Sequence, residues 1–255
     1  NFSYRKTRHV FKNFDLEIKP REKVALVGPS GSGKTTIVQL LLRFHNIQRG
    51  QIRIDDQVIA HATQDSLRKN IALVPQDPIL FHRSLMENIR YGRTSATDED
   101  VKEAVRLAHL EHFIERLPDG WDTKVGERGL KLSGGEKQRV HLARVLTQLH
   151  HSGDQCILML DEPTSALDLA HQHNTLKIAR ELADNHNAAV IVVLHDLNLA
   201  AQYSDRLVVL KNGNLICDGS PWEALRPSMI EDVYGYKSIV EKHPTMSFPQ
   251  VHPAY

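Results

Sequence analysis

Gly28-Pro29-Ser30-Gly31-Ser32-Gly33-Lys34-Thr35 is the stretch from which the rest of this chain is read. It follows the apolar, β-branched run Lys23–Val27 and precedes the apolar run Ile37–Phe44, so it lies where a strand hands over to a helix. The order is the one phosphate binding needs. Glycines let successive backbone N–H groups converge on phosphate oxygens, helped by the partial positive charge at a helix N-terminus. Lys34 brings a mobile full charge to the outer phosphates, and the Thr35 hydroxyl is placed to ligate Mg2+. An ordinary Gly/Ser turn is the plainer reading. The spacing G-x-x-x-x-G-K-[ST] arises by chance in roughly one such chain in a hundred, and the strand-before, helix-after setting weighs further against the turn.

The flanking sequence extends this pattern. Ile71–Val74, Cys156–Leu160 and Ala188–Leu194 are further buried-strand candidates, each running into a Gly-, Pro- or polar-rich turn, as in a parallel α/β sheet. Thr97 is placed to cap a helix over Asp98–His109, with Val101, Ala104, Val105 and Ala108 at helical spacing. Phe2–Ile18 and Gln51–Ile59 read as antiparallel strands, and Lys211-Asn212-Gly213-Asn214 is a hairpin turn between Arg206–Leu210 and Leu215–Cys217. The expected fold is α/β: a parallel core with an antiparallel β-subdomain and a helical insertion over 76–153.

Composition bounds the function. The chain has 255 residues, 41% hydrophobic and 25% charged, with 32 basic against 31 acidic residues. A formal net charge of +1 argues against a polyelectrolyte partner such as nucleic acid. The longest uncharged apolar run, Ala188–Leu194, is far short of the ~18 residues a membrane span needs, so a soluble chain is expected. Two cysteines, Cys156 and Cys217, make no disulfide framework and suit a reducing compartment. The chain starts at Asn1 with no secretory leader, which reads as a fragment or an engineered chain.

Two further stretches carry chemistry. Cys156–Leu160 ends in Asp161-Glu162, at the carboxyl end of a strand, where ligands of parallel sheets bind. There Asp161 is placed to hold Mg2+ and Glu162 to polarise an attacking water, although an isolated Asp-Glu is more often a solvated strand end. Leu132-Ser133-Gly134-Gly135-Glu136 opens a helix continuing through Lys137–Leu149. Ser133 is a plausible N-cap, and two glycines bare the first-turn N–H groups as a second anion site. A simple capped helix is the bland alternative, but the full string arises by chance in roughly one chain in two thousand.

These residues resemble the signature of ATP-binding-cassette (ABC) ATPases, over about residues 1–225. The resemblance implies a P-loop NTPase (RecA-like) core and a single nucleotide-binding domain over 1–255. Its ATP-binding core would span 1–75 and 154–220, its helical signature-bearing part 76–153, and its C-terminal tail 221–255. It further implies that Gln76 is the Q-loop glutamine, contacting Mg2+ and water and sensing a transmembrane partner. Ser165-Ala166-Leu167-Asp168 is similar to the D-loop, His195 to the switch histidine at the γ-phosphate, and Tyr4 to the aromatic that stacks on adenine. The implied nucleotide-binding set is Tyr4, Gly28, Ser30, Gly31, Ser32, Gly33, Lys34, Thr35, Thr36, Ser133, Gly134, Gly135 and Asp168. Thr35, Gln76 and Asp161 are the implied metal ligands, and Glu162, His195 and Gln76 the catalytic residues. Each has a bland reading alone: Gln76 a polar strand end, Asp168 a helix cap, Tyr4 a surface aromatic, His195 one of fifteen histidines.

By this resemblance the chain binds MgATP and hydrolyses it as a transport motor, in a head-to-tail dimer with a second copy. It would work under transmembrane permease domains, in the cytoplasm at the inner face of the membrane. Residues 1 to about 140 resemble homodimeric exporters in Phe2-Ser3-Tyr4, Val74-Pro75-Gln76-Asp77, Leu80-Phe81, Glu87-Asn88-Ile89 and Val125-Gly126-Glu127-Arg128-Gly129. Asp161-Glu162-Pro163-Thr164 and Leu194–Ala200 resemble haem, siderophore and cobalamin importers, and Thr147-Gln148-Leu149 with the tail near His243-Pro244 and Pro249 resemble the haem branch of these, which suggests a chimera joined between about Arg139 and Thr147. The alternatives are a folded scaffold without catalysis and an ABC ATPase acting on DNA or ribosomes. The pairs His150-His151 and His171-x-His173 lack companion metal ligands and read as solvated, and Lys137 and Arg139 receive no role.

Overall fold

The computed structural model describes residues 1–5, 8–149, 156–165, 167–186 and 188–254. In chain order the elements are β1 (Phe2–Arg5), β2 (Arg8–Phe11), β3 (Lys23–Val27), α1 (Lys34–Leu41), β4 (Arg53–Ile54), β5 (Gln57–Val58), α2 (Gln64–Lys69) and β6 (Ile71–Val74). They continue with α3 (Leu85–Arg90), α4 (Asp98–Leu107), α5 (Glu111–Glu115), α6 (Gly134–Leu149), β7 (Ile157–Asp161), α7 (Leu169–His186), β8 (Ala189–Val193) and α8 (Leu197–Tyr203). Last come β9 (Arg206–Lys211), β10 (Asn214–Gly219), α9 (Pro221–Ala224), α10 (Pro227–Tyr234), β11 (Ser238–Lys242) and β12 (Pro249–Pro253).

The central six-stranded sheet runs β10-β9-β3-β8-β7-β6. Every pair from β9 to β6 is parallel, and only β10 is antiparallel. The period-2 alternation of strand side chains explains the continuous apolar runs. Val24 and Leu26 enter one core with Phe2, Phe11 and Ile37, while Ala25 and Val27 enter the other with Leu158, Leu176 and Ile230. A strand packed on both faces leaves a polar side chain needing a partner: β3 is buried at all five residues, and its one charged member, Lys23, pairs with Asp184 and Asp205.

Local chemistry fixes the helix starts. Thr97 and Ser84 each form a reciprocal capping box, with Asp100 and Glu87. Asn212 (φ 51°) and Gly213 (φ 76°) both take the left-handed conformation that the β9–β10 hairpin requires. Several expectations shift. The front strands cover only Phe2–Arg5 and Arg8–Phe11, since Asn13 (φ 52°) turns the chain out of extended geometry. The strand expected at Cys156–Leu160 is Ile157–Asp161, because Asp161 still pairs with Val193. Ile59 leaves its hairpin for a 3-10 turn over Ile59–His61. Residues 221–254, expected as a tail, form α9, α10 and a β11–β12 hairpin whose Val240 and Val251 pack on the main core. Among the described residues no helix is long and apolar enough to cross a membrane.

Candidate active site

The parallel strands deliver the candidate residues to one edge. β3 leads into Gly28, β7 into Asp161-Glu162, β8 into His195, and β6 into Gln76, all at carboxyl ends. The loop after β3 is shaped by its glycines. Gly28 (φ 147°) passes so close to β9 that a Cβ would stand 2.1 Å from the Leu210 carbonyl, and Gly33 (φ 109°) caps α1 where a Cβ would meet the Phe11 ring at 2.7 Å. Gly31 (φ 77°) faces open space, Ser30 is exposed, and Ser32 is buried with its hydroxyl unpartnered.

Lys34 folds back over the loop, donating to the Gly28 carbonyl at 2.7 Å and the Pro29 carbonyl at 3.0 Å. Burial holds its ammonium below the usual lysine range, against the pull of Glu162 and Asp161. Thr35 donates to Asp161 at 3.1 Å, joining the loop to β7. Burial pushes the Asp161 carboxyl up, with Glu162 adding to the rise, while the Thr35 hydrogen bond, Lys34 and His195 oppose it. Glu162, in left-handed backbone (φ 50°), directs a carboxylate oxygen to His195 Nε2 at 2.7 Å. Loop, Asp161, Glu162 and His195 are thus one contiguous cluster. Thr35 and Asp161 converge as hard oxygen donors, the set Mg2+ selects, so these residues fit that ion.

Other candidates lie apart from this cluster. Gln76, two residues past β6, is exposed and forms no hydrogen bond to Thr35 or Asp161 among those described. Tyr4 leans on α1, its hydroxyl donating to Gln39 at 2.7 Å with Thr36 at 3.1 Å; the residue is 40% exposed, its ring edge-on to Phe2 and His45. Ser133 and Gly134 are exposed at the start of α6. Ser133 and Glu136 cap that start reciprocally, at 2.8 and 3.3 Å, and Gly135 lies beside Leu167 and His171. Asp168 caps α7 through the His171 N–H at 2.9 Å, which is its bland reading. Ala166 and the pair His150-His151 fall outside the described residues. In the other pair, both half-buried, His171 Nδ1 is 2.6 Å from Asp168, and His173 Nδ1 is 2.8 Å from the Tyr203 hydroxyl.

Sequence reasoning missed the polar core beside Gln76. Asn88, fully buried, accepts from Phe81 N–H at 2.9 Å and donates to the carbonyls of Phe81, Arg83 and Ser84. Arg144 of α6 donates to the Asn88 carbonyl at 2.8 Å, its side-chain oxygen at 3.0 Å and the Ile79 carbonyl at 3.3 Å. His141 Nε2 meets the Leu73 carbonyl at 3.1 Å. The Asn88 contacts span only 4 to 7 residues, but no local pattern announces the Arg144 and His141 contacts, whose partners lie 56 to 68 residues apart.

Residues 11–165 match the family described as ABC transporter. A hemin import ATP-binding protein, HmuV, of Vibrio parahaemolyticus is 50% identical over 252 residues, 97% of this chain and 93% of its own length. Its counterparts in Vibrio anguillarum and Vibrio cholerae are 47% and 45% identical. A solved bacterial Atm1-family ABC exporter with ATP bound superposes with a TM-score of 0.81 at 44% identity, covering 89% of this chain and 38% of that longer one. Since the first likeness extends over 97% of the chain, a join between Arg139 and Thr147 gains no support from it. With a P-loop NTPase fold and this match over more than half its length, the chain belongs to the ABC transporter family, as one of its ATP-binding ATPase motor domains.

Proposed function

We propose that this chain hydrolyses MgATP in a head-to-tail dimer to drive uptake of a haem-type cargo through a permease partner. The observation that carries the catalytic reading is the contiguous run from Lys34 and Thr35 through Asp161 to the Glu162–His195 pair at 2.7 Å. Lys34 exchanges two backbone carbonyls for phosphate oxygens. Thr35 and Asp161 supply oxygen ligands for Mg2+, with Gln76 past the adjacent strand; the bound ion would neutralise charge on the outer phosphates. Glu162 takes the proton of the attacking water, and His195 orients its carboxylate. Tyr4 offers an exposed ring to adenine, near the Thr36 end of the loop.

The dimer reading rests on Ser133 and Gly134: both residues are exposed at the tip of a 16-residue helix, where the Gly134 amide would serve a nucleotide held by another copy while the Ser133 amide is occupied by the Glu136 cap. The permease reading rests on Ile79, Phe81 and Tyr91, exposed 75%, 38% and 55% beside Gln76, which suit an apolar helix of the partner. The cargo reading rests on the names of the Vibrio relatives, which match nearly end to end. E162Q is the deciding variant: it should bind MgATP within about twofold of wild type while losing at least about a hundredfold in turnover, and wild-type turnover should rise with protein concentration. Phosphate release by E162Q at the wild-type rate overturns the assignment. Complementation of a Vibrio strain lacking its hemin import ATP-binding protein tests the cargo.

A further inference from the structure

The carboxyl-terminal hairpin is fastened to the helix that follows His195. β11 and β12 pair antiparallel, with Val240 opposite Val251. The Ala254 N–H donates to the Lys237 carbonyl at 3.1 Å and the His243 N–H to the Phe248 carbonyl at 3.0 Å, which fixes the phase of the ladder. By the alternation of an antiparallel pair, Phe248, Gln250, His252 and Ala254 turn their main-chain groups toward β11, and Pro249, Val251 and Pro253 turn theirs outward. Proline has no N–H, so of the three outward residues only Val251 brings a donor to this edge. Asn198 of α8 takes it. The Val251 N–H donates to Asn198 Oδ1 at 2.7 Å, and Asn198 Nδ2 donates to the Val251 carbonyl at 3.2 Å. The side-chain amide thus forms one rung of a ladder, a two-point contact that sets distance and orientation together.

Asn198 stands three residues after His195, in the first turn of α8, which Asp196 caps through the N–H groups of Asn198 at 2.8 Å and Leu199 at 2.9 Å. His195 is exposed between this turn and β8, whose end is held by the Leu194 N–H donating to the Leu26 carbonyl at 3.2 Å. The sheet therefore fixes one side of His195, and α8 must fix the other. Leu199 and Ala200 bury α8 against the main core, but apolar packing is non-directional. The two hydrogen bonds to Val251 supply the direction. Resting on the reading of His195 given above, we propose that Asn198 is a positioning residue: by clamping the outer edge of β12 it sets the start of α8 and so holds His195 against the Glu162 carboxylate, 2.7 Å away.

N198A removes the contact from the helix side. V251P removes its shorter bond from the strand side, with a residue this edge already carries at Pro249 and Pro253. With the full chain and radiolabelled ATP, kcat of each should fall about tenfold, the effect of a displaced catalytic group. The MgATP dissociation constant should stay within about twofold, because Lys34 and its loop are untouched. A double-mutant cycle separates positioning from general loosening: placed on H195A, N198A should lower kcat less than about twofold further. W222F is the comparison, since it removes the bond from Trp222 Nε1 to the Ser247 carbonyl at 2.8 Å and so loosens the hairpin away from α8. Its kcat should stay within about twofold of wild type. Wild-type kcat in N198A overturns the proposal. So does a loss in W222F equal to that in N198A, or a full tenfold loss added to that of H195A, each the mark of a structural role. The two readings fail separately. A wild type that releases no phosphate, or an H195A as fast as wild type, overturns the proposed role of His195 and the clamp with it, whereas a slow H195A alongside an unaltered N198A overturns the clamp alone.

Discussion

Lowering the pH should weaken this fold through one histidine. His141 Nε2 faces the Leu73 carbonyl, an acceptor only, and Nδ1 faces the Arg144 guanidinium at 3.4 Å, a donor only. Chemistry therefore fixes the neutral ring with its proton on Nε2. Protonating Nδ1 would set a second cation against Arg144, and burial, the larger cause, joins that repulsion to lower the pKa to about 4. The unfolded chain binds this proton near pH 6.5 and the folded one near 4, so between those values the unfolded state carries more protons and stability falls with pH. At 1.36 kcal/mol per unit, the loss reaches about 3 kcal/mol by pH 4 and then levels off. H141Q keeps a donor for Leu73 but does not titrate. Urea unfolding of both proteins at pH 7 and pH 4 isolates this group from every other acid-labile contact. The stability difference between them should change by about 3 kcal/mol, in favour of H141Q at low pH. A difference independent of pH would refute the tautomer and the burial argument together.

N88A should be among the most destabilising single changes: it leaves the Phe81 N–H and one Arg144 N–H without acceptors, while the three carbonyls it served keep other donors. Two buried orphans, one of them charged, cost about 4 kcal/mol in urea unfolding, and a loss under about 1 kcal/mol would mean that water replaces Asn88. D161N should raise the melting temperature at pH 7 without nucleotide while removing Mg2+-dependent ATP affinity. The raised carboxyl of Asp161 is a cost to the fold that is present above its folded pKa and fades as pH drops through it, so the gain from D161N should shrink in acid; a lowered melting temperature at pH 7 would show the Thr35 contact to dominate.

What was legible in the sequence follows from how each feature is encoded. The phosphate loop is contiguous, because successive amides of one turn would do the binding, and Val24–Val27 and Ile71–Val74 are continuous apolar runs because they are packed on both faces. The ends of β7 and β8 were displaced by a residue, since pairing rather than hydropathy sets where a ladder stops: Asp161 is polar yet paired. The ordered carboxyl-terminal region and the contacts of Asn88 and Arg144 had no sequence signal. An Arg144 side chain on Asn88, 56 positions earlier, is an outcome of the tertiary arrangement, and no periodicity records it.

The site and the helical part are joined in a way that bears on function. α6 presents Ser133 and Gly134 at its tip and, within the same helix, holds the backbone on both sides of Gln76: His141 grips Leu73, three residues before it, and Arg144 grips Ile79, three residues after. Arg144 also ties Asn88, whose four hydrogen bonds shape the loop carrying exposed Phe81. The His141 and Arg144 grips on Leu73 and Ile79 are partly buried contacts to main-chain atoms, at 3.1 and 3.3 Å. Hence the tip of α6 cannot be displaced from β6 without either breaking both grips or carrying the Gln76 segment along, and the less costly course is to carry it. The apolar patch of Ile79, Phe81 and Tyr91 sits on that same segment. On the proposed function, a partner pushing on the patch would move Gln76 and the Ser133–Gly134 tip together, and would reach a bound nucleotide at two points at once.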